Sequence, residues 1–323
     1  LAKLLTDPQL SHMARYALGR LEVPAATEAL LGALDKTAGD LQAGIIDTLG
    51  NRQCAAARNK LVELLRSPDP TVARAAAISL GRLGDRESAA ALQGARTAVT
   101  GTLRVEIDNA LLNAAEQLAT RGRTGDAAAI YEDFHKSGDS PQRQFAGLRG
   151  LIVTQNDQAA QLLSDAMRAE DVSVRRGAIS LIGQAPGRKA TETFVAAMGS
   201  LSVDDKVLLL RALGARGDGA AAGAIAAAAR DDDPGVRVAA LEALGKVGDA
   251  SIALTLAEAA AATDGVERNV ARAALRAVPA ADTNDKLLQL LNSADAKIQV
   301  ELIHALTARG ADAAVDTLLR SAT

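Results

Sequence analysis

Large apolar residues recur along the chain with a period of 31 residues. One set closes the expected first helix of each repeat, and we call these the marker positions: Leu18, Leu49, Leu80, Leu151, Ile182, Leu213, Leu244, Leu275 and Leu306. Twelve residues later stands a second set: Leu30, Leu61, Leu92, Leu163, Phe194, Ile225, Leu256, Leu287 and Leu318. Two buried positions that recur in phase predict a stack of two-helix repeats.

Polar residues mark where the first helices begin. Eight of the nine positions that lie eleven residues before the markers carry Asp or Ser, whose side-chain oxygen accepts a hydrogen bond from a free backbone N–H group. We therefore predict helices that start at or just after Asp69, Asp171, Asp233, Asp264 and Asp295. The glycines that follow the markers are predicted to end these helices in the left-handed conformation. They are Gly19, Gly50, Gly81, Gly183, Gly214 and Gly245.

The interval from Leu80 to Leu151 breaks the period, since its 71 residues are two periods plus nine. One irregular repeat at about 102–140 fits this interval, with its marker near Leu118. Its first helix, roughly 102–120, is predicted to be about two turns longer than the others. Such a helix either projects and exposes Arg104, Glu106 and Asp108, or opens a groove beside the second helix. The residues of that groove, Tyr131, Phe134 and His135, are the predicted partner-binding residues, and packing of the rings into the core is the alternative.

Composition and charge narrow the classes of function. The 323 residues are 48% hydrophobic but only 2% aromatic, which suits closely packed helices. The net charge of -3 argues against binding to nucleic acid. The single Cys54 excludes an intrachain disulfide, and His12, His135 and His304 fall in widely separated repeats, so no two of them can share a metal at helical spacing. No apolar run reaches the roughly 20 residues of a membrane span. We predict no catalytic residues, metal or cofactor, and hence no enzyme; the cellular compartment stays open.

Individual repeats carry a recognisable pattern. The segments Asp-Pro-Gly-Val-Arg-Val-Ala-Ala-Leu-Glu-Ala-Leu-Gly-Lys-Val-Gly-Asp at 233–249 and Asp-Val-Ser-Val-Arg-Arg-Gly-Ala-Ile-Ser-Leu-Ile-Gly at 171–183 resemble HEAT repeats of the short, phycobilisome-lyase-like subtype. This resemblance implies an all-α fold, a right-handed α-solenoid of about ten two-helix repeats that spans 1–323 as a single array. It also implies that the second helices line a concave surface that holds proteins.

The resemblance further implies a ladder in which an Asp at a helix start pairs with an Arg four residues later. The matching pairs here are Asp171 with Arg175, Asp233 with Arg237, and Asp264 with Arg268, and Lys206 continues the column. We interpret the column Arg175, Lys206, Arg237 and Arg268 as a structural ladder of salt bridges. A binding stripe for an acidic segment or a phosphate is the alternative.

The function predicted from these observations is a non-catalytic scaffold that binds an unknown protein partner through the concave surface or the irregular repeat. The alternative is a subunit of a chromophore-lyase-like enzyme, which the repeat subtype suggests. The opening Leu-Ala-Lys-Leu-Leu resembles the internal 61–65, and no polar helix follows Leu318 and Leu319. We therefore expect the chain to be a fragment of a larger protein with further domains.

Overall fold

A computed structural model describes residues 1–137, 140–278 and 282–310. Throughout these residues the regular structure is helical, with no β-strand. The chain divides into two compact units, residues 1–139 and 140–323. In each unit, first and second helices alternate along the chain, and consecutive first helices pack side by side. The all-α solenoid fold is therefore confirmed, whereas the description as a single array stays a prediction.

The N-terminal unit begins with a 3-10 helix, Ala2–Thr6, and has four helix pairs. They are α1 (Ser11–Arg20) with α2 (Pro24–Leu34), α3 (Gly39–Asn51) with α4 (Arg58–Leu64), α5 (Pro70–Leu83) with α6 (Arg86–Arg96), and α7 (Gly101–Thr120) with α8 (Thr124–Lys136). In this unit α3 packs on α5 and α5 packs on α7. A further 3-10 turn, Ala55–Ala57, leads into α4.

The second unit continues the alternation. Its helices are α9 (Pro141–Thr154), α10 (Ala159–Ala166), α11 (Val172–Ser180), α12 (Arg188–Ala197), α13 (Val203–Arg216), α14 (Ala222–Ala228), α15 (Pro234–Val247), α16 (Ala253–Ala262), α17 (Gly265–Ala277), α18 (Thr283–Leu291) and α19 (Ala296–Ala308). Short 3-10 turns at Ile182–Gln184, Met198–Ser200, Gly219–Ala221 and Ala250–Ile252 flank the second helices.

The two periodic apolar positions form the core. Every marker residue is at most 5% exposed, and the residues twelve positions later are fully buried, except Leu318, which with Leu319 lies outside the described residues. The predicted helix starts are also confirmed. The Asp69, Asp171, Asp233 and Asp295 carboxylates each accept hydrogen bonds from two backbone N–H groups of their helix. Asp264 precedes α17 without a side-chain cap.

The glycines after the markers have a different role from the predicted one. Gly50, Gly81, Gly214 and Gly245 lie inside their helices, and Gly84 and Gly217 take the left-handed conformation at the ends of α5 and α13. A Cβ atom at Gly81 would lie 2.8 Å from the Cα atom of Ala110 on α7. These glycines therefore let neighbouring first helices approach closely, which a sequence period alone does not reveal.

Arginines three positions after certain markers join successive repeats. The Arg52 guanidinium donates to the carbonyl oxygens of Leu18, Gly19 and Leu21, at the end of the previous first helix. Arg121, Arg216 and Arg309 each make the same kind of contact with the repeat that precedes their own. Because the last carbonyl groups of a helix have no partner within the helix, these arginines stabilise both the helix end and the stacking.

Candidate functional site

The irregular repeat has the predicted long helix, but its polar residues do not project. α7 has 20 residues, against 10 to 14 in α1, α3 and α5. Asp108 is 1% exposed, and Arg104 and Glu106 are half-buried. The exposure predicted for these three residues is therefore wrong. The physical reason is that the neighbouring helices contact these residues: Arg96 of α6 binds Asp108 and accepts from Arg104 through its carbonyl oxygen, and Arg74 of α5 pairs with Glu106.

A buried ionic cluster joins α6, α7 and α8. The Arg96 guanidinium, 7% exposed, binds the Asp108 carboxylate at 2.6 Å and also the Asp133 carboxylate. Arg104 donates to Asp108 at 3.3 Å and to the Arg96 carbonyl oxygen at 2.8 Å. Sequence reasoning missed this cluster, because Arg96 and Asp133 are 37 residues apart and no local pattern links them. It fixes the position of the long helix, since a buried charge is tolerated only with partners.

The aromatic residues of this repeat pack inward. Phe134 is fully buried with the Arg96 guanidinium 4.5 Å from its ring centre, and Tyr131 is 9% exposed. Burial raises the pKa of the Tyr131 hydroxyl, and the Glu116 carboxylate adds to the rise. His135 is half-buried. A groove walled by the Tyr131 and Phe134 rings is thus not present, while binding of a partner at this repeat stays a prediction.

The basic column makes inter-repeat contacts, but its partners differ from the predicted ones. Arg175 pairs with Asp205 at 3.0 Å, and Arg237 pairs with Glu267 at 2.9 Å. Lys206 pairs with Asp231 at 3.6 Å, and Arg268 alone uses the predicted partner four residues earlier, Asp264 at 2.7 Å. Arg175 and Arg237 also donate to carbonyl oxygens just before their own helices. Each of these two arginines therefore ties its loop to the next first helix.

Open grooves lie between neighbouring first helices. One of about 360 Å³ lies between α1 and α3 and is lined by His12, Arg15, Tyr16 and Arg20 with Thr48 and Asn51. Another of about 500 Å³ lies between α17 and α19, where Arg272, Arg276 and His304 are accompanied by Glu301. Basic side chains dominate the groove between α1 and α3, which is therefore suited to an anionic group, whereas Glu301 pairs with Arg272 in the other groove.

The part of the chain that the structure describes has neither a cluster of metal ligands nor a membrane-spanning helix. There, no three His, Cys, Asp or Glu side chains come close enough to hold a metal ion. In the same residues no helix is long and apolar enough to cross a membrane.

Comparison with known proteins extends the resemblance seen in single repeats. The family model for HEAT repeats matches residues 27–106 and 191–276, just over half of the chain. Phycocyanobilin lyase subunit alpha of Picosynechococcus sp. is 32% identical over 187 residues, which cover 53% of this chain and 69% of that protein. The prediction that the chain is not an enzyme is wrong on this comparison, because the relative is a subunit of an enzyme.

Among solved structures, the karyopherin Kap121p supports the fold class. The chain matches the karyopherin Kap121p bound to Ste12p with a TM-score of 0.50 and 12% identity, over 96% of this chain and 45% of that one. It also matches the complex of CpcE and CpcF of phycocyanin lyase from Nostoc sp. with a TM-score of 0.38 and 24% identity, over 76% of this chain and 92% of that one. The karyopherin match shows a helical-repeat fold and says nothing further about function.

Proposed function

Because this chain belongs to the HEAT-repeat family, with repeats of the phycobilisome-lyase-like subtype, we propose that it is a protein-binding subunit of a chromophore-lyase-like enzyme. The single observation that carries the proposal is the 32% identity to a phycocyanobilin lyase subunit across 69% of that protein. The identity extends over 187 residues, about six periods of 31, and so exceeds one shared repeat.

The proposed role within the enzyme is to hold another protein. An enzyme that joins a chromophore to a protein has to position that protein, and stacked helical repeats provide extended surfaces for doing so. The hydrogen bonds between repeats favour such a role, because each of four arginines donates to carbonyl oxygens of the preceding repeat. These are Arg52, Arg121, Arg216 and Arg309. A surface held in one shape loses little conformational entropy when a partner binds.

The second helices supply the proposed contact surface. α14 consists of Ala and Gly apart from Ile225, which is fully buried, so its outward face has only short side chains. Gly223 and Ala227 on this face are exposed, whereas Ala226 packs against the core. Short side chains let a partner helix approach closely, and they lose little side-chain entropy on binding.

Affinity purification of the full chain from its source organism, after crosslinking, tests this role. We expect it to recover a second lyase-type subunit or a chromophore-bearing protein with visible absorbance. The variant Ala227→Arg should reduce recovery at least tenfold, while the variant Arg211→Ala, on the neighbouring first helix α13, should leave it unchanged. Recovery of proteins unrelated to chromophores, or equal recovery with both variants, would overturn the proposal.

A further inference from the structure

Arg15 in α1 lies three residues before its marker. Only one other first helix in the described residues has a charged side chain at this position. Arg15 and Arg272 each stand three residues before a marker, whereas seven other first helices have buried apolar residues there. Those seven are Ile46, Ala77, Ala115, Leu148, Ile179, Leu210 and Leu241. The two arginines therefore share a position within the repeat, but their surroundings differ.

The partner of Arg272 is a carboxylate of the next first helix. Glu301 stands five residues before its marker, is 5% exposed, and binds Arg272 through two hydrogen bonds of 2.6 and 2.8 Å. This is the forked geometry in which a guanidinium and a carboxylate match best. The hydrogen bonds from Arg272 lower the pKa of Glu301, so the carboxylate is charged at neutral pH.

Gly44 occupies the corresponding position opposite Arg15. A Cβ atom at Gly44 would lie 2.3 Å from an Nη atom of Arg15 and 2.4 Å from its Cζ atom, so the guanidinium rests against the backbone of α3. The Arg15 Nε atom is buried, and no described residue accepts a hydrogen bond from it. Buried donors are normally satisfied, and a charged donor left without an acceptor is especially costly.

The rest of the groove is suited to an organic anion. His12 and Arg20 add basic groups, and the residues that line the groove include no Asp or Glu. Tyr16 is 63% exposed and provides an aromatic wall, with the Arg20 guanidinium 5.1 Å from the ring centre. A volume of about 360 Å³ admits a small molecule.

We propose that the groove between α1 and α3 binds a carboxylate attached to a flat apolar group, and that this carboxylate pairs with the Arg15 guanidinium as Glu301 pairs with Arg272. The planar carboxylate is favoured over chloride because it accepts two parallel hydrogen bonds from the guanidinium. This site lies outside the proposed protein-binding surface on α14, and its assignment does not depend on the chromophore-lyase proposal.

Titration of the full chain with benzoate, acetate and potassium chloride at matched ionic strength tests the site. The readout is the NMR signal of the Arg15 Nε–H group, assigned with Arg15→Lys. We expect a saturable shift of this signal with benzoate, a Kd at least threefold weaker for acetate, and no saturable shift with chloride. The Arg272 Nε–H signal should not respond, because Glu301 already occupies it. An equal response to all three salts, or none, would overturn the proposal.

Substitution of the residue opposite each arginine, Gly44 or Glu301, provides a second test of the site. Gly44→Glu should supply an internal carboxylate and weaken benzoate binding at least tenfold, because the Arg15 guanidinium is the end of a flexible side chain and can make room. Glu301→Ala should have the reverse effect, so that the Arg272 signal gains a saturable response to benzoate. Arg15→Gln should lose binding even if Gly44→Glu fails to fold. Unchanged benzoate affinity in a folded Gly44→Glu variant, as judged by its circular dichroism, would contradict the site.

Discussion

Gly81 and Gly94 are predicted to respond in opposite directions to the same substitution by alanine. Both are interior helix residues without a left-handed backbone, Gly81 in α5 and Gly94 in α6. Alanine favours the helix by about 0.5–1 kcal/mol over glycine at either position. At Gly94 no atom lies within 4 Å of the added methyl group, so Gly94→Ala should stabilise the protein by about that amount.

At Gly81 the added methyl group meets backbone that cannot rotate away. It would lie 2.7 Å from the carbonyl oxygen and 2.8 Å from the Cα atom of Ala110, so α5 and α7 have to move apart. Overpacking of this kind costs about 1–3 kcal/mol. Gly81→Ala should therefore destabilise by up to about 2 kcal/mol after the helix preference is subtracted. The difference between the two variants isolates the overpacking cost.

Urea unfolding followed by circular dichroism at 222 nm measures both effects. We expect the midpoint to rise for Gly94→Ala and to fall for Gly81→Ala, with slopes that match the unsubstituted chain, since the surface exposed on unfolding is nearly the same. A Gly81→Ala variant as stable as Gly94→Ala would refute the close approach of the first helices.

Three further predictions concern buried and capping side chains. Phe134→Ala should lower the free energy of unfolding, measured by denaturation, by about 3–5 kcal/mol, because the ring is fully buried. A loss below about 1 kcal/mol would contradict the core position of Phe134. Glu301→Gln should destabilise at pH 7 through loss of the charged pair with Arg272, and this difference should disappear as pH falls. Folding lowers the pKa of Glu301, so the stabilisation from its charged form is fully present above the unfolded pKa of about 4.3 and is lost as pH falls through the folded pKa. A stability difference between Glu301→Gln and the unsubstituted chain that persists at pH 2 would be inconsistent with the pair. Arg216→Ala should lower the free energy of unfolding by about 1–3 kcal/mol, because three carbonyl groups lose their hydrogen-bond donor. The control Arg211→Ala removes an exposed ion pair and should lower it by less than about 1 kcal/mol. Equal shifts of the melting temperature in the two variants would argue against the capping role of Arg216.

Local patterns were sufficient for the register of the repeats. Leu49 and Asp69 could be placed from sequence because helix capping and burial of one helix face depend on residues within a few turns. The length of α7 followed from arithmetic on the markers. Contacts between repeats could not be placed in this way, because a residue period does not say which face of one helix touches the next.

At the candidate sites, too, the contacts between repeats could not be predicted from local sequence patterns. Arg175 was expected to pair four residues back, yet its carboxylate partner is Asp205, 30 residues ahead. The contrast between Gly44 and Glu301 is present in the sequence, but its meaning depends on knowing that these positions face Arg15 and Arg272. Aligning all the first helices on their markers would have drawn attention to both arginines.

Covalent chromophore transfer is the most direct test of the proposed enzymatic role. The full chain is co-expressed with a phycocyanobilin-producing system, the lyase-type subunit recovered by crosslinking, and the chromophore-bearing protein in its chromophore-free form. The measurement is the bilin absorbance that remains on the acceptor after denaturation. We expect covalent attachment that requires this chain and falls at least tenfold with Ala227→Arg. Attachment at the same level without the chain, or none when every component is present, would contradict the proposed function.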